Sequence, residues 1–190
     1  MSYAMEHGPR PHRITVDEFH RMAEVGLLAP DARVELIEGV IIDMALIGGP
    51  HGRAVDHICE RLILAVHGRA IVRTQGAVEL SRLCEVQPDI ALLKHREDGY
   101  DDNPEAADTL LLIEVADSSA GYDFGTKLKL YARYGVPEVW ILSVGTGTLH
   151  FFRSRTDLGY SEEGSTTTPG VLTLPSLGGL TVDLSGLIRA

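Results

Sequence analysis

Long apolar runs are missing from this 190-residue chain: nothing approaches the ~20 consecutive apolar residues that span a bilayer. The opening stretch, MSYAMEHGPRPHR, lacks the apolar core of a secretory signal, so the protein reads as cytoplasmic. Cysteine is scarce. Cys59 and Cys84 stand alone without CxxC spacing, which fits a reducing compartment and argues against a structural zinc site. Eight histidines show no HExxH or other paired-ligand spacing. Basic residues are outnumbered, with 17 Lys plus Arg against 27 Asp plus Glu and a net charge of −10. That balance counts against a broad basic surface for nucleic acid, but leaves room for a local basic cleft or a cation that offsets carboxylates. Helix-turn-helix, zinc-finger and aromatic RNA-binding signatures, internal repeats and low-complexity segments are all missing.

What remains is ordinary globular material, 44% apolar and 23% charged. Its length suits one domain with a full core. Residues 1–14 read as a loose tail and 15–190 as a single domain. Thr15-x-x-Glu18 is a capping box, and Phe19, Met22, Ala23 and Leu27 recur at helical spacing, predicting a helix that ends near Gly26 and stops by Pro30. RVELIEGVIIDMAL predicts a hairpin turning at Glu38-Gly39, with Gly39 at positive φ. The glycine-proline break before His51 opens an amphipathic helix with Val55, Ile58, Cys59, Leu62, Ile63 and Val66 on one face, closed by Gly68. Two short strands around Gly76, a third in VQPDIALLK, an acidic loop between Lys94 and Thr109, and the buried strand LLLIEV follow. Asp117, Ser118, Ser119 and Gly121 make a turn. The helix from Tyr122 to Gly135 is expected to turn Phe124, Leu128, Tyr131 and Gly135 inward. A hairpin runs from VWILSV to TLHFFRS, and Leu172–Leu174 and Leu180–Leu184 are expected as edge strands. The pattern is α/β, a central mixed β-sheet flanked by α-helices.

Three stretches carry candidate chemistry. Asp89 opens an apolar strand, Glu114 closes another, and Lys127 lies on the helix that follows. Two carboxylates suit a hard cation such as Mg²⁺, with Mn²⁺ as its substitute, and a lysine can steady a hydroxide or phosphate beside it. Asp89 alone is more often a turn or cap residue than a ligand. A carboxylate in LLLIEV must be desolvated if the strand is central, which costs several kcal/mol, roughly, unless a cation, hydrogen bonds or a lysine compensates. Glu114 and Lys127 therefore fit either a metal site or a structural ion pair. Asp123, Lys127 and Tyr131 share a helical stripe, so Lys127 either pairs with Asp123 at the surface or leans back towards Glu114. Glu35 alternates with Val34 and Leu36 and faces solvent or a cleft. His51 stands at a helix start, where free backbone N–H groups can receive a phosphate.

Taken together, VELIEG at 34–39, Gly-Pro-His at 49–51, QPDIALL at 87–93, IEVADSS at 113–119 and YDFGTKLKLYARYGVPEVWIL at 122–142 resemble the Uma2 family, restriction endonuclease-like proteins of the PD-(D/E)XK nuclease superfamily. The resemblance covers roughly residues 15–155. It implies a restriction-endonuclease-like α/β core, and a Mg²⁺-dependent endonuclease acting on nucleic acid, DNA before RNA. It also implies roles: Asp89 and Glu114 as metal ligands, Lys127 as the catalytic lysine, Glu35, ahead of Glu38, as the early acidic residue, and His51 and Tyr131 at the substrate. Ala116 stands where the superfamily's usual lysine would be, and Lys127 on the following helix takes its place. A homodimer would serve the cutting of two strands. The alternative is a non-catalytic module that keeps the fold and binds nucleic acid or protein.

Overall fold

The computed structural model describes residues 10–29, 31–46, 48–117, 119–156 and 158–188. The expected tail lies mostly outside these, as do Pro30 and Ser118. The Thr15 capping box forms as expected, Thr15 N–H donating to Glu18 Oε2 at 2.8 Å and Glu18 N–H to Thr15 Oγ1 at 3.3 Å. It starts α1 (Val16–Glu24), whose Val16 and Phe19 pack on Val34 and Leu36. Strands β1 (Val34–Ile37) and β2 (Val40–Asp43) make the predicted hairpin. Both turn residues, Glu38 and Gly39, have positive φ, at 52° and 77°. This is the primed turn that matches strand twist. Gly39 is further required because a Cβ there would lie 2.5 Å from that of Arg13.

Helix α2 (Gly49–Val66) buries Val55, Ile58, Leu62 and Val66, whereas Ile63, expected on the same face, stays half exposed. Beyond it come β3 (Ala70–Thr74), β4 (Val78–Ser81), β5 (Cys84–Val86), β6 (Ile90–Lys94) and β7 (Thr109–Ala116). The single strand expected in VQPDIALLK is divided, because Pro88 has no N–H to donate and Gln87-Pro88-Asp89 turns the chain from one sheet into another. Strands β2, β1, β5 and β4 form an antiparallel sheet that periodicity did not suggest.

The connection after β7 is helical but not uniform. It runs as α3 (Ala120–Tyr122), a π-helical turn (Asp123–Lys127) and α4 (Leu128–Tyr134), ended by Gly135 at φ 96°. Then follow β8 (Val139–Ser143), β9 (Thr148–Thr156), β10 (Gly159–Thr166), β11 (Val171–Leu174) and β12 (Leu180–Asp183). The main sheet has the order β10-β9-β8-β7-β6-β3. It is mixed, β7 and β8 being parallel across the helical crossover and its other pairs antiparallel. Strands β11 and β12 pair with each other rather than extending the main sheet, and they lie beside α2.

Alternation along β7 sets the layers. Leu111, Ile113 and Val115 face α2 together with Ile90, Leu92, Trp140 and Leu142. Leu112 and Ala116 face α4 with Ala91, Leu93 and Ile141. Glu114 is on that second face, two residues from the end of the strand. No helix among the described residues is long and apolar enough to cross a membrane.

Candidate active site

Antiparallel register brings the two strand-end acids together. Ile90 of β6 lies opposite Ile113 of β7, so the next residues outward are Asp89 and Glu114. Asp89 Oδ2 accepts the Val115 N–H at 2.8 Å, which closes the end of the β6–β7 ladder with a side chain. The same oxygen lies 3.0 Å from His51 Nε2, at the start of α2. Among the described residues Oδ1 of Asp89 has no hydrogen bond.

Glu114 meets the helical crossover. Its Oε1 accepts from Lys127 Nζ at 3.1 Å and from the Tyr131 hydroxyl, so both bonds fall on one oxygen. Lys127 Nζ also lies 2.9 Å from Glu35 Oε1, an oxygen that accepts the Gln87 N–H at 2.8 Å. The other Glu35 oxygen is buried without a partner. Lys127 is 1% exposed and Glu35 1% exposed, so this is an interior ion cluster and not a surface pair.

Side-chain placement differs from expectation at several positions. The stripe Asp123, Lys127 and Tyr131 is buried, while Phe124 and Leu128 are half-buried beside His150 and Phe152. Lys127 leans towards Glu114 and makes no ion pair with Asp123, whose Oδ2 accepts from Ser119 Oγ at 2.5 Å. Glu35 faces inward because all four residues of β1 are covered, by α1 on one side and the crossover on the other. Tyr131, expected at the substrate, lies behind Glu114 with no exposed surface. Glu38 stays at the rim, held by Tyr134, Arg13 and Arg133. Asp123 was not singled out as a site residue, although its place in the stripe was the available signal. The His51–Asp89 pair, 38 residues apart, had none.

His51, Asp89, Glu114, Asp123 and Lys127 line one narrow cleft of about 50 Å³. That volume admits an ion and a few waters. Its electrostatics are lopsided. Burial pushes the Glu114 carboxyl up to about 8, against the pull of Lys127, with Asp89, Asp123 and Glu35 adding to the rise. Burial likewise raises Asp123, opposed by its bond from Ser119. Burial alone would discharge Lys127, but Glu114 and Glu35 outweigh it and hold the ammonium charged, above the usual lysine range. One lysine thus faces an excess of buried carboxylates, and cations offset such an excess. Among the described residues no three His, Cys, Asp or Glu side chains converge as a preformed metal site. A cation here would have two carboxylates, Asp89 and Glu114, and water for the rest, the coordination Mg²⁺ favours. The donor set fits.

A family model described as Uma2, "Putative restriction endonuclease", matches residues 16–185. A solved structure described as a "putative nuclease belonging to DUF820" from Anabaena variabilis superposes with a TM-score of 0.71 at 18% identity. The match covers 92% of this chain and 97% of that one. It supports the restriction-endonuclease-like fold expected from the motifs. No curated protein matches the chain. With its fold matched and 16–185 aligned to the family model, the chain belongs to the Uma2 family.

Proposed function

We propose that the protein is a divalent-cation-dependent endonuclease that hydrolyses phosphodiester bonds of nucleic acid, DNA in the first instance. The observation that carries this reading is the pair Asp89 and Glu114 at adjacent strand ends. Each has one oxygen engaged twice and one without a hydrogen bond among the described residues, beside a charged lysine. Asp89 and Glu114 would hold the cation. When bound, it supplies Lewis-acid polarisation of a phosphoryl oxygen and a more acidic water.

The chain's own residues divide the remaining work. Lys127 is held charged by its two carboxylates, so it donates rather than takes a proton, and suits orienting the attacking water or countering charge that builds on phosphorus. Glu35 and Tyr131 act through their neighbours: Glu35 fixes the ammonium, and Tyr131 fixes the Glu114 oxygen that the ammonium shares. His51 holds Asp89 and, at the first turn of α2, sits where an incoming phosphate meets free N–H groups. Residues 15–190 act as one nuclease-like domain in the cytoplasm. Pairing two copies through the exposed edge strand β10 would place two sites on one duplex.

Isothermal titration of Mn²⁺ into the protein, into Asp89→Ala and into Glu114→Ala tests the site, with cleavage of plasmid and single-stranded substrates as the functional readout. Binding that vanishes in both variants is expected. Binding that survives either one removes that residue from the site. The second reading, a non-hydrolytic binding module, is favoured by one observation: Lys127 already pairs with two buried carboxylates, which engage two of its three N–H donors. Under it, Mg²⁺ leaves the melting temperature unchanged, whereas a working site gains stability by linkage.

A further inference from the structure

A second and larger cavity lies beside the same helix. Pro50 faces it, while Gly48 and His51 face the cleft. Its volume is about 650 Å³, within the range of small-molecule sites. Four segments enclose it: the first half of α2, the end of β8 with the turn into β9, Thr167 just after β10, and the segment from Gly186 to Ile188. Among the described residues no acidic side chain lines it, in a chain whose net charge is −10. Arg53 and His57 do.

The remaining lining is divided by chemistry. Leu142, Val144 and Leu187 offer an apolar floor, while Thr146 and Thr167 offer hydroxyls. Gly145, Gly147 and Gly186 leave bare backbone at the wall, which lets a ligand approach N–H and C=O groups closely. His57 lines the cavity too, although its Nε2 is buried away from solvent and has no hydrogen-bond partner among the described residues. Asp183, close enough to feel His57 and Arg61, accepts the Ser185 N–H at 2.9 Å and lies outside the lining.

We propose that this cavity binds a nucleoside monophosphate, with Arg53 on the phosphate, the apolar floor under the base, and the threonines and glycine backbone on sugar and base edges. The proposal stands apart from the reading of the cleft, and neither Asp89 nor Glu114 enters it. A planar apolar body explains the floor, and a compact anion explains the absence of acids. A free nucleotide and the 5′-phosphorylated end of a strand present the same chemistry.

The test is isothermal titration of AMP into the unaltered protein, Arg53→Ala and Gly145→Phe, with adenosine, inorganic phosphate and a 5′-phosphorylated trinucleotide alongside. Arg53 is exposed, so its removal leaves the fold intact. A Cβ on Gly145 meets nothing within 4 Å, so a side chain can start there without a clash, and phenylalanine is chosen as the bulk to occupy the cavity. The expected result is saturable one-to-one binding of AMP, weakened about tenfold or more in Arg53→Ala, as loss of a charge-assisted hydrogen bond implies. Gly145→Phe should abolish it, with both melting temperatures unchanged. Adenosine and phosphate should each bind more weakly than AMP. Trinucleotide binding equal to that of AMP assigns the site to strand ends, and weaker binding assigns it to free nucleotide. No saturable AMP binding at millimolar concentration overturns the proposal. So does AMP binding that survives both substitutions, or phosphate or adenosine binding as tightly as AMP.

Discussion

The two faces of β7 come from one short apolar run and behave in opposite ways. Towards α2, Leu111, Ile113 and Val115 sit in a wholly apolar layer whose only requirement is fit. Towards the crossover, Glu114 enters a cluster in which Glu35, Asp123 and Lys127 are also buried. The apolar face is indifferent to pH and cations. The charged face carries groups that follow pH and, on the proposed reading, a cation as well, and it can be held in one geometry because the first is close-packed. A strand buried on both sides can therefore carry stability on one face and chemistry on the other.

The largest effect expected from breaking that division is at Lys127. Lys127→Ala leaves Glu35 and Glu114 buried without their cation, a loss of about 3–5 kcal/mol for one partner of a buried pair. Urea denaturation should show it, and cleavage should vanish with it. Ile113→Ala on the opposite face should cost a comparable or smaller amount, about 2–5 kcal/mol, through the cavity it leaves. Yet Mn²⁺ affinity should stay within about twofold, since the Ile113 side chain packs on the α2 face of the strand and Glu114 points to the other. A fall in affinity matching that of Glu114→Ala would show the faces are not separable.

The next prediction concerns pH. The Glu114 carboxyl, ordinarily near 4.5, is raised to about 8 in the folded protein. Between those values the native state keeps a proton that the unfolded chain has released, so stability falls as pH rises through that window. Thermal melts of metal-free protein from pH 5 to about 8 should show the decline, and Glu114→Gln should flatten it. Part of the slope should persist, because burial also raises Asp123 and Glu138. An equally steep decline in Glu114→Gln would assign the proton elsewhere. The smallest effect belongs to Glu38, three residues from Glu35 in the same hairpin. Its arginine pairs are at the rim, and Glu38→Ala should change stability by no more than about 1 kcal/mol, with Mn²⁺ binding untouched.

Most of what local chemistry decides could be read from the chain. The capping box at Thr15, the turn at Glu38-Gly39, the span of α2 and the buried strand at Glu114 each depend on residues within a few positions of one another. The approach of Lys127 to Glu114 was one of two alternatives that the sequence left open, the other being a surface pair with Asp123. What escaped depends on distant partners. Glu35 is inward because β1 is covered on both sides, and Asp89 is held by a histidine from another layer. The pairing of β1 with β5, and the separate ribbon of β11 and β12, likewise follow from packing that no short window contains.

The π turn between Asp123 and Lys127 makes the site sensitive to chain length as well as to residue identity. Such a turn holds one residue more than the α-helical turn it replaces, and helices use it often near functional groups. Removing Thr126, an exposed residue with no assigned role, would restore regular winding and rotate Lys127 by about 100° relative to the turn before it. Lysine and glutamate would both still be present in the gene, but not facing each other. In this protein a one-codon deletion far milder in composition than Lys127→Ala should be just as damaging.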